Sequence, residues 1–155
     1  MSTETPMQDL LHKDAPIRHC YGCGADNRHG LRIKSVLEGD EGISRWKAQE
    51  YHCSYPGYLN GGISCMLIDC HSAWTAFALE CRDRGVDMSQ DGGLPTGWTR
   101  AMSVEFLRPV PLEAELLLRA RVVKKGDSSR TVTCSIYAND KECVRGEVTM
   151  VMKPA

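Results

Sequence analysis

The chain has almost no net charge: 19 Lys and Arg stand against 20 Asp and Glu, leaving -1. The general attraction to nucleic acid that a basic excess provides is therefore missing. Its first residues, Met1-Ser2-Thr3-Glu4-Thr5-Pro6-Met7-Gln8-Asp9, lack the basic start and apolar stretch of a secretory leader, so a cytoplasmic location is expected. There is no internal repeat and no low-complexity tract. An apolar run free of polar groups is missing too. The run from Gly61 to Leu79 contains Asp69, His71 and several Ser, Thr and Cys, which makes it a poor membrane span and a good buried core helix. Finally, Cys20-x-x-Cys23 has no second pair of the same spacing. With His19, His29, His52 and Cys53 near in sequence, the pair can be read as a zinc site, but a lone pair is a weak signal and the interleaved glycines fit a tight turn equally well, so no metal is assigned.

What is present describes a soluble domain. The 155 residues, 42% apolar and 25% charged, make one domain with length enough for a core. Residues 1–18 read as an N-terminal arm and 19–155 as a single domain. The eight cysteines, at 20, 23, 53, 65, 70, 81, 134 and 143, fall largely inside helix or strand patterns, so they read as reduced thiols packed as small hydrophobes.

His19 to Gly30 is dense in turn formers and reads as an ordered loop. Strands are expected at Leu31–Leu37 and Ile43–Ala48, joined as a hairpin through Glu38-Gly39-Asp40-Glu41-Gly42. A helix follows from Gly61 to Arg82. Ile63, Met66, Leu67, Cys70, Trp74, Phe77 and Cys81 lie on one face, and Cys65, Ile68, Ala73 and Ala76 make the other sides apolar as well. A helix apolar on most sides is enclosed. After a Gly- and Asp-rich connection, strands are expected at Trp98–Leu107, Ala114–Val123, Arg130–Ala138 and, past a turn at Asn139-Asp140-Lys141, Glu142–Met152. The fold class is α+β, an antiparallel sheet wrapped around one long central helix.

Asp69 is the residue that asks for a reason. An unpaired buried charge costs several kcal/mol, comparable to the whole stability of a small domain. The helix opens with Asn60-Gly61-Gly62, where N–H groups lie open to a closely approaching ligand and favour negative charge. Oxyanion donors at one end and a carboxylate two turns on are the parts needed to hydrolyse an acyl compound. Gly62 and Asp69 are about 10 Å apart along a helix at 1.5 Å per residue. One carbonyl carbon does not reach both within a single chain, whereas two antiparallel helices from two subunits bring the Gly62 end of one to Asp69 of the other. Other readings of these residues are plainer: Asn60 as an N-cap, His71 as a satisfied core or interface histidine, and Lys124, Lys125, Arg119, Arg121 and Arg130 as a solvated strand end.

Three segments resemble the hotdog-fold acyl-CoA thioesterases, in particular their phenylacetate-pathway (PaaI-like) branch. They are Cys20-Tyr21-Gly22-Cys23-Gly24 with Asn27 and Gly30-Leu31; Tyr55 to Gly62 with Leu67-Ile68-Asp69; and Val104 to Leu112. The resemblance implies a homodimer or dimer of dimers that hydrolyses an acyl-CoA to free acid and coenzyme A, with no cofactor. It implies Asp69 as nucleophile or as base for water, and the Gly62 N–H polarising the carbonyl. Thr99 assists from the next strand, with Ser103 the other candidate for that place. Gly61, Ser103 and Arg108 are carried as substrate-binding residues. At one place the chain departs from the pattern: Asn60 stands where the family has His before the Gly-Gly pair, and an amide donates a hydrogen bond but carries no proton. The alternative function is a non-catalytic hotdog protein that binds acyl-CoA or another small ligand.

Overall fold

Alternation of apolar and polar residues builds the sheet. The computed structural model describes residues 5–153; residues 1–4, the start of the expected arm, and 154–155, the end of the expected domain, lie outside the described residues. The strands are β1 (Ser35–Glu38), β2 (Glu41–Lys47), β3 (Thr96–Phe106), β4 (Glu115–Lys125), β5 (Ser129–Ala138) and β6 (Lys141–Lys153), with one long helix, α1 (Gly61–Arg84), between β2 and β3. They form one antiparallel sheet in the order β1-β2-β4-β5-β6-β3. Leu116, Leu118 and Ala120 of β4, Val132, Cys134 and Ile136 of β5, and Val148, Met150 and Met152 of β6 are buried in the core beneath α1, which packs on all six strands. This is the expected α+β wrap.

Local chemistry sets the corners. Asn139 and Asp140, at φ 50° and 62°, make the two-residue β5–β6 turn, a left-handed pair that suits a hairpin. Gly85, at φ 64°, ends α1 in the left-handed conformation that a Cβ disfavours. The helix thus runs slightly beyond the expected Arg82. A Cβ at Gly42 of β2 would sit 1.9 Å from Thr75 Oγ1, so this glycine lets helix and strand close.

The expected strand at Leu31–Leu37 pairs only from Ser35. Its first half serves the loop instead: the N–H of Leu31 donates to Tyr21 O and that of Ile33 to Gly22 O. The expected arm is tied to the body. Met7 and Leu11 are buried in the core, and Gln8 Oε1 accepts the Ser35 N–H at 2.8 Å.

One stripe of α1 is left incompletely covered. Gly62 is exposed, and Cys65, Met66, Asp69 and Ala73 are half-buried, a spacing of three to four residues that marks one helix face. No helix of the described residues is long and apolar enough to cross a membrane.

Candidate functional site

Asn60 caps α1. Its Oδ1 accepts the Gly62 N–H at 2.9 Å, and its own N–H donates to His52 O at 2.9 Å. The Leu59 N–H donates to Val110 O, so the approach to the helix is pinned to the segment after β3. The cap has a chemical consequence. The Gly62 donor, free in the sequence reading, is engaged by Asn60, and the donors left to an incoming ligand are the Asn60 amide Nδ2 and the Gly61 N–H, neither of which has a partner among the described residues. Gly61 lies against the edge of the Phe106 ring.

Two turns on, Asp69 is half-buried rather than sealed. It therefore bears less than the full desolvation cost that the sequence implied. Thr99 Oγ1 donates to Asp69 Oδ1. The second carboxylate oxygen has no partner among the described residues and is not shut off from solvent. No cation pairs with Asp69 among the described residues.

The β3 backbone explains why Thr99 is the residue that arrives there. Its register on β6 shifts between Thr99 and Ala101, and such a bulge re-aims side chains. Before it, Gly97 lies against Phe77; after it, Phe106 lies against Gly61, so the inward-facing parity changes from odd to even. Ser103 falls on the outer side, in a shallow depression with Glu105, Thr133, Ser135, Arg145 and Glu147. Of the two strand hydroxyls, the structure brings Thr99 to Asp69 and leaves Ser103 on the opposite face of the sheet. Arg108 is exposed in the segment whose neighbours, Val110 and Leu112, pair with Leu59 and Gly57 just ahead of α1.

Other sequence candidates have structural partners. His71 is fully enclosed: Nε2 donates to Gly42 O at 2.9 Å, leaving Nδ1 to accept from Ser35 Oγ at 2.8 Å. Burial pushes its pKa down to about 4, against weaker opposing effects of the Gly42 carbonyl and Glu41. In the basic cluster, Arg119 and Arg121 pair with Glu41, Lys125 with Asp83, and Arg130 with Glu80. Trp74 and Phe77 are core residues. A cavity of about 330 Å³, lined by His12, Ile17, Phe77, Met88, Leu94 and Gly97 among others, lies beside the C-terminal half of α1 and does not include Asp69.

Sequence spacing missed one cluster. The sulfurs of Cys20, Cys23 and Cys70 all lie within 4.8 Å of one another. Cys70 gave no signal because it is remote in sequence and sits in an apolar helix.

Comparison with known proteins adds a family. The model of the Thioesterase superfamily matches residues 56–144, a stretch holding both Asn60 and Asp69. No curated protein matches the chain. Among solved structures, a thioesterase superfamily protein from Shewanella loihica is 26% identical, with a TM-score of 0.65 over 84% of this chain and 98% of the other. A Streptococcus mutans protein bound to acetyl CoA shares the fold at 19% identity and TM-score 0.62, over 78% and 88% of the two chains. So does the PaaI protein from the phenylacetic acid degradation operon of E. coli, at 14% identity and TM-score 0.64, over 81% and 82%.

Proposed function

This chain belongs to the thioesterase superfamily and has its hotdog fold, and we propose that it hydrolyses the thioester of an acyl-coenzyme A to free acid and coenzyme A. The observation that carries the reading is the Thr99–Asp69 hydrogen bond on the uncovered stripe of α1. One carboxylate oxygen is held by the hydroxyl while the other stays open, which suits a group that attacks a carbonyl or takes a proton from water. Water adds to the carbonyl carbon, the C–S bond breaks, and the thiol leaves with a proton. The acetyl CoA held by a fold neighbour supports coenzyme A as the leaving group.

The oxyanion donors come from the helix start. Because Gly62 N–H is bonded to Asn60 Oδ1, the Asn60 amide Nδ2 and the Gly61 N–H take the role first carried by Gly62, and such donors contribute about 3 kcal/mol each to a tetrahedral intermediate. Gly62 then acts by holding Asn60 in place. Arg108, exposed beside this entrance, meets the negative charge of coenzyme A.

The site is shared between two copies of the chain. Gly62 and Asp69 lie on the same open stripe, about 10 Å apart along the helix, so a second α1 running antiparallel joins one copy's helix start to the other's Asp69. The outer edge of β3 has no neighbouring strand among the described residues, and Trp98, Met102 and Phe106 on that strand are large exposed hydrophobics. An uncovered edge of this kind invites pairing. A dimer follows, with a dimer of dimers as its extension.

The Asn60 cap also favours a second reading. An amide bound to Gly62 cannot donate a proton as an imidazole would, which is what a binding protein that has lost its chemistry would retain. A thiol-release screen over short, long, branched and aromatic acyl-CoAs, run on wild type and Asp69→Asn, separates the two. Hydrolysis that depends on Asp69 supports the enzyme; tight acyl-CoA binding with only background thiol release, with or without Asp69, supports the binding protein.

A further inference from the structure

Gly22 sits where a side chain would not fit. A Cβ there would lie 2.4 Å from Cys70 Sγ and 3.2 Å from Met66 Cγ, and one at Gly24 would meet the Arg18 and Cys20 backbone within 2.6 Å. These two glycines allow the loop to press its turn onto α1, so that Cys20 and Cys23 both turn toward Cys70. The turn is braced from behind. Gly24 N–H donates to Cys20 O at 2.8 Å, and Tyr21 O and Gly22 O accept from Leu31 and Ile33. Arg18 forks onto Asp26 at 2.7 and 2.8 Å across its mouth.

We propose that Cys20, Cys23 and Cys70 bind a single thiophilic cation of the zinc type, stapling the loop to α1 one residue from Asp69. Three sulfurs within 4.8 Å are close to what tetrahedral zinc requires, since Zn–S bonds of about 2.3 Å place thiolates roughly 3.8 Å apart. A small inward movement completes the set. Cys23 and Cys70 are buried and Cys20 is half-exposed, so the ion has an entry path on the Cys20 side and its fourth position is open there.

The surroundings suit a soft cation. Trp74 Nε1–H, one turn along α1 from Cys70, is buried with no hydrogen-bond partner among the described residues. The Met66 thioether borders the same space. A soft donor set beside an orphaned N–H is the environment of a thiolate metal site, whereas cysteines packed only as hydrophobes need none of this. The cation's role is structural, and Asp69, roughly 100° round the helix from Cys70, keeps its own face.

The test uses the full chain, reduced and stripped with a chelator, then titrated with Co(II) and with Zn(II) in competition with a chromophoric chelator. A thiolate-to-cobalt charge-transfer band saturating at one ion per chain is expected, reversed by Zn(II), with a rise in Tm on zinc addition. Cys20→Ser and Cys23→Ser should lose the band and the rise in Tm. Cys53→Ser, which alters an exposed thiol away from the cluster, should keep both. Equal metal binding by wild type and the Cys20→Ser/Cys23→Ser double variant, or no saturable band in wild type, would overturn the proposal. Since the readout is spectroscopic, the outcome does not depend on whether the chain hydrolyses thioesters.

Discussion

Thr99 Oγ1, on the edge strand β3, donates to Asp69 Oδ1 in the middle of the central helix. This one bond ties the sheet's exposed edge to the only carboxylate on the open stripe of α1, and three of the following predictions concern it or the start of the same helix.

Replacing Asp69 by Asn keeps the shape and removes the base or nucleophile. Acyl-CoA hydrolysis should fall by about 10²- to 10⁴-fold, the usual worth of such a group, with the circular dichroism spectrum and the oligomeric state unchanged. Residual activity within a few-fold of wild type would assign the chemistry elsewhere.

Thr99→Val removes the hydroxyl and keeps the β-branched shape. A hydrogen bond to a charged group is worth about 1.5–3 kcal/mol, so kcat should drop roughly tenfold to a hundredfold. Thr99→Ser should restore most of the rate. Ser103→Ala, on the far face of the sheet, should have little effect; a steady-state comparison of the three variants checks this.

Asn60 can be dissected because its oxygen and its nitrogen do different things. Asp caps a helix about as well as Asn, so Asn60→Asp should leave Tm nearly unchanged while kcat/KM falls, the amide donor being replaced by a charge that repels an oxyanion. Asn60→Ala should lose activity and also about 1 kcal/mol of stability. Denaturant melts alongside thiol release distinguish the two effects.

Acid should destabilise the fold through His71. Its pKa is about 4 in the folded chain against an ordinary 6.5, so between those values the unfolded chain binds the extra proton. Stability is full above pH 6.5, declines by about 3 kcal/mol as pH falls toward 4, and loses nothing further from this group below that. Urea melts across this range should show the slope in wild type and a flatter profile in His71→Gln, with Glu41, the charged group that acts on His71, left in place.

Strand and helix spans were legible because alternation and helical periodicity are local. Gly61 as the helix start and the turn at Asn139 and Asp140 follow from the chemistry of single residues. The expected strand at Leu31–Leu37 was half wrong for a non-local reason: the backbone of Leu31 and Ile33 is claimed by Tyr21 and Gly22, a pairing that no periodicity displays. Likewise the partners of the basic cluster, Glu41, Glu80 and Asp83, come from remote segments that spacing does not join to it.

By itself the sequence determined that one nearly all-apolar helix is wrapped by an antiparallel sheet and that Asp69 is the anomalous group in it, because burial preference and residue spacing act within a few residues. Only the tertiary structure decided which strand hydroxyl reaches Asp69, that Asn60 occupies the Gly62 donor, and that Cys70 joins Cys20 and Cys23. Each of these turns on how far two remote segments approach, and on a bulge, a cap and a glycine contact whose geometry comes from packing.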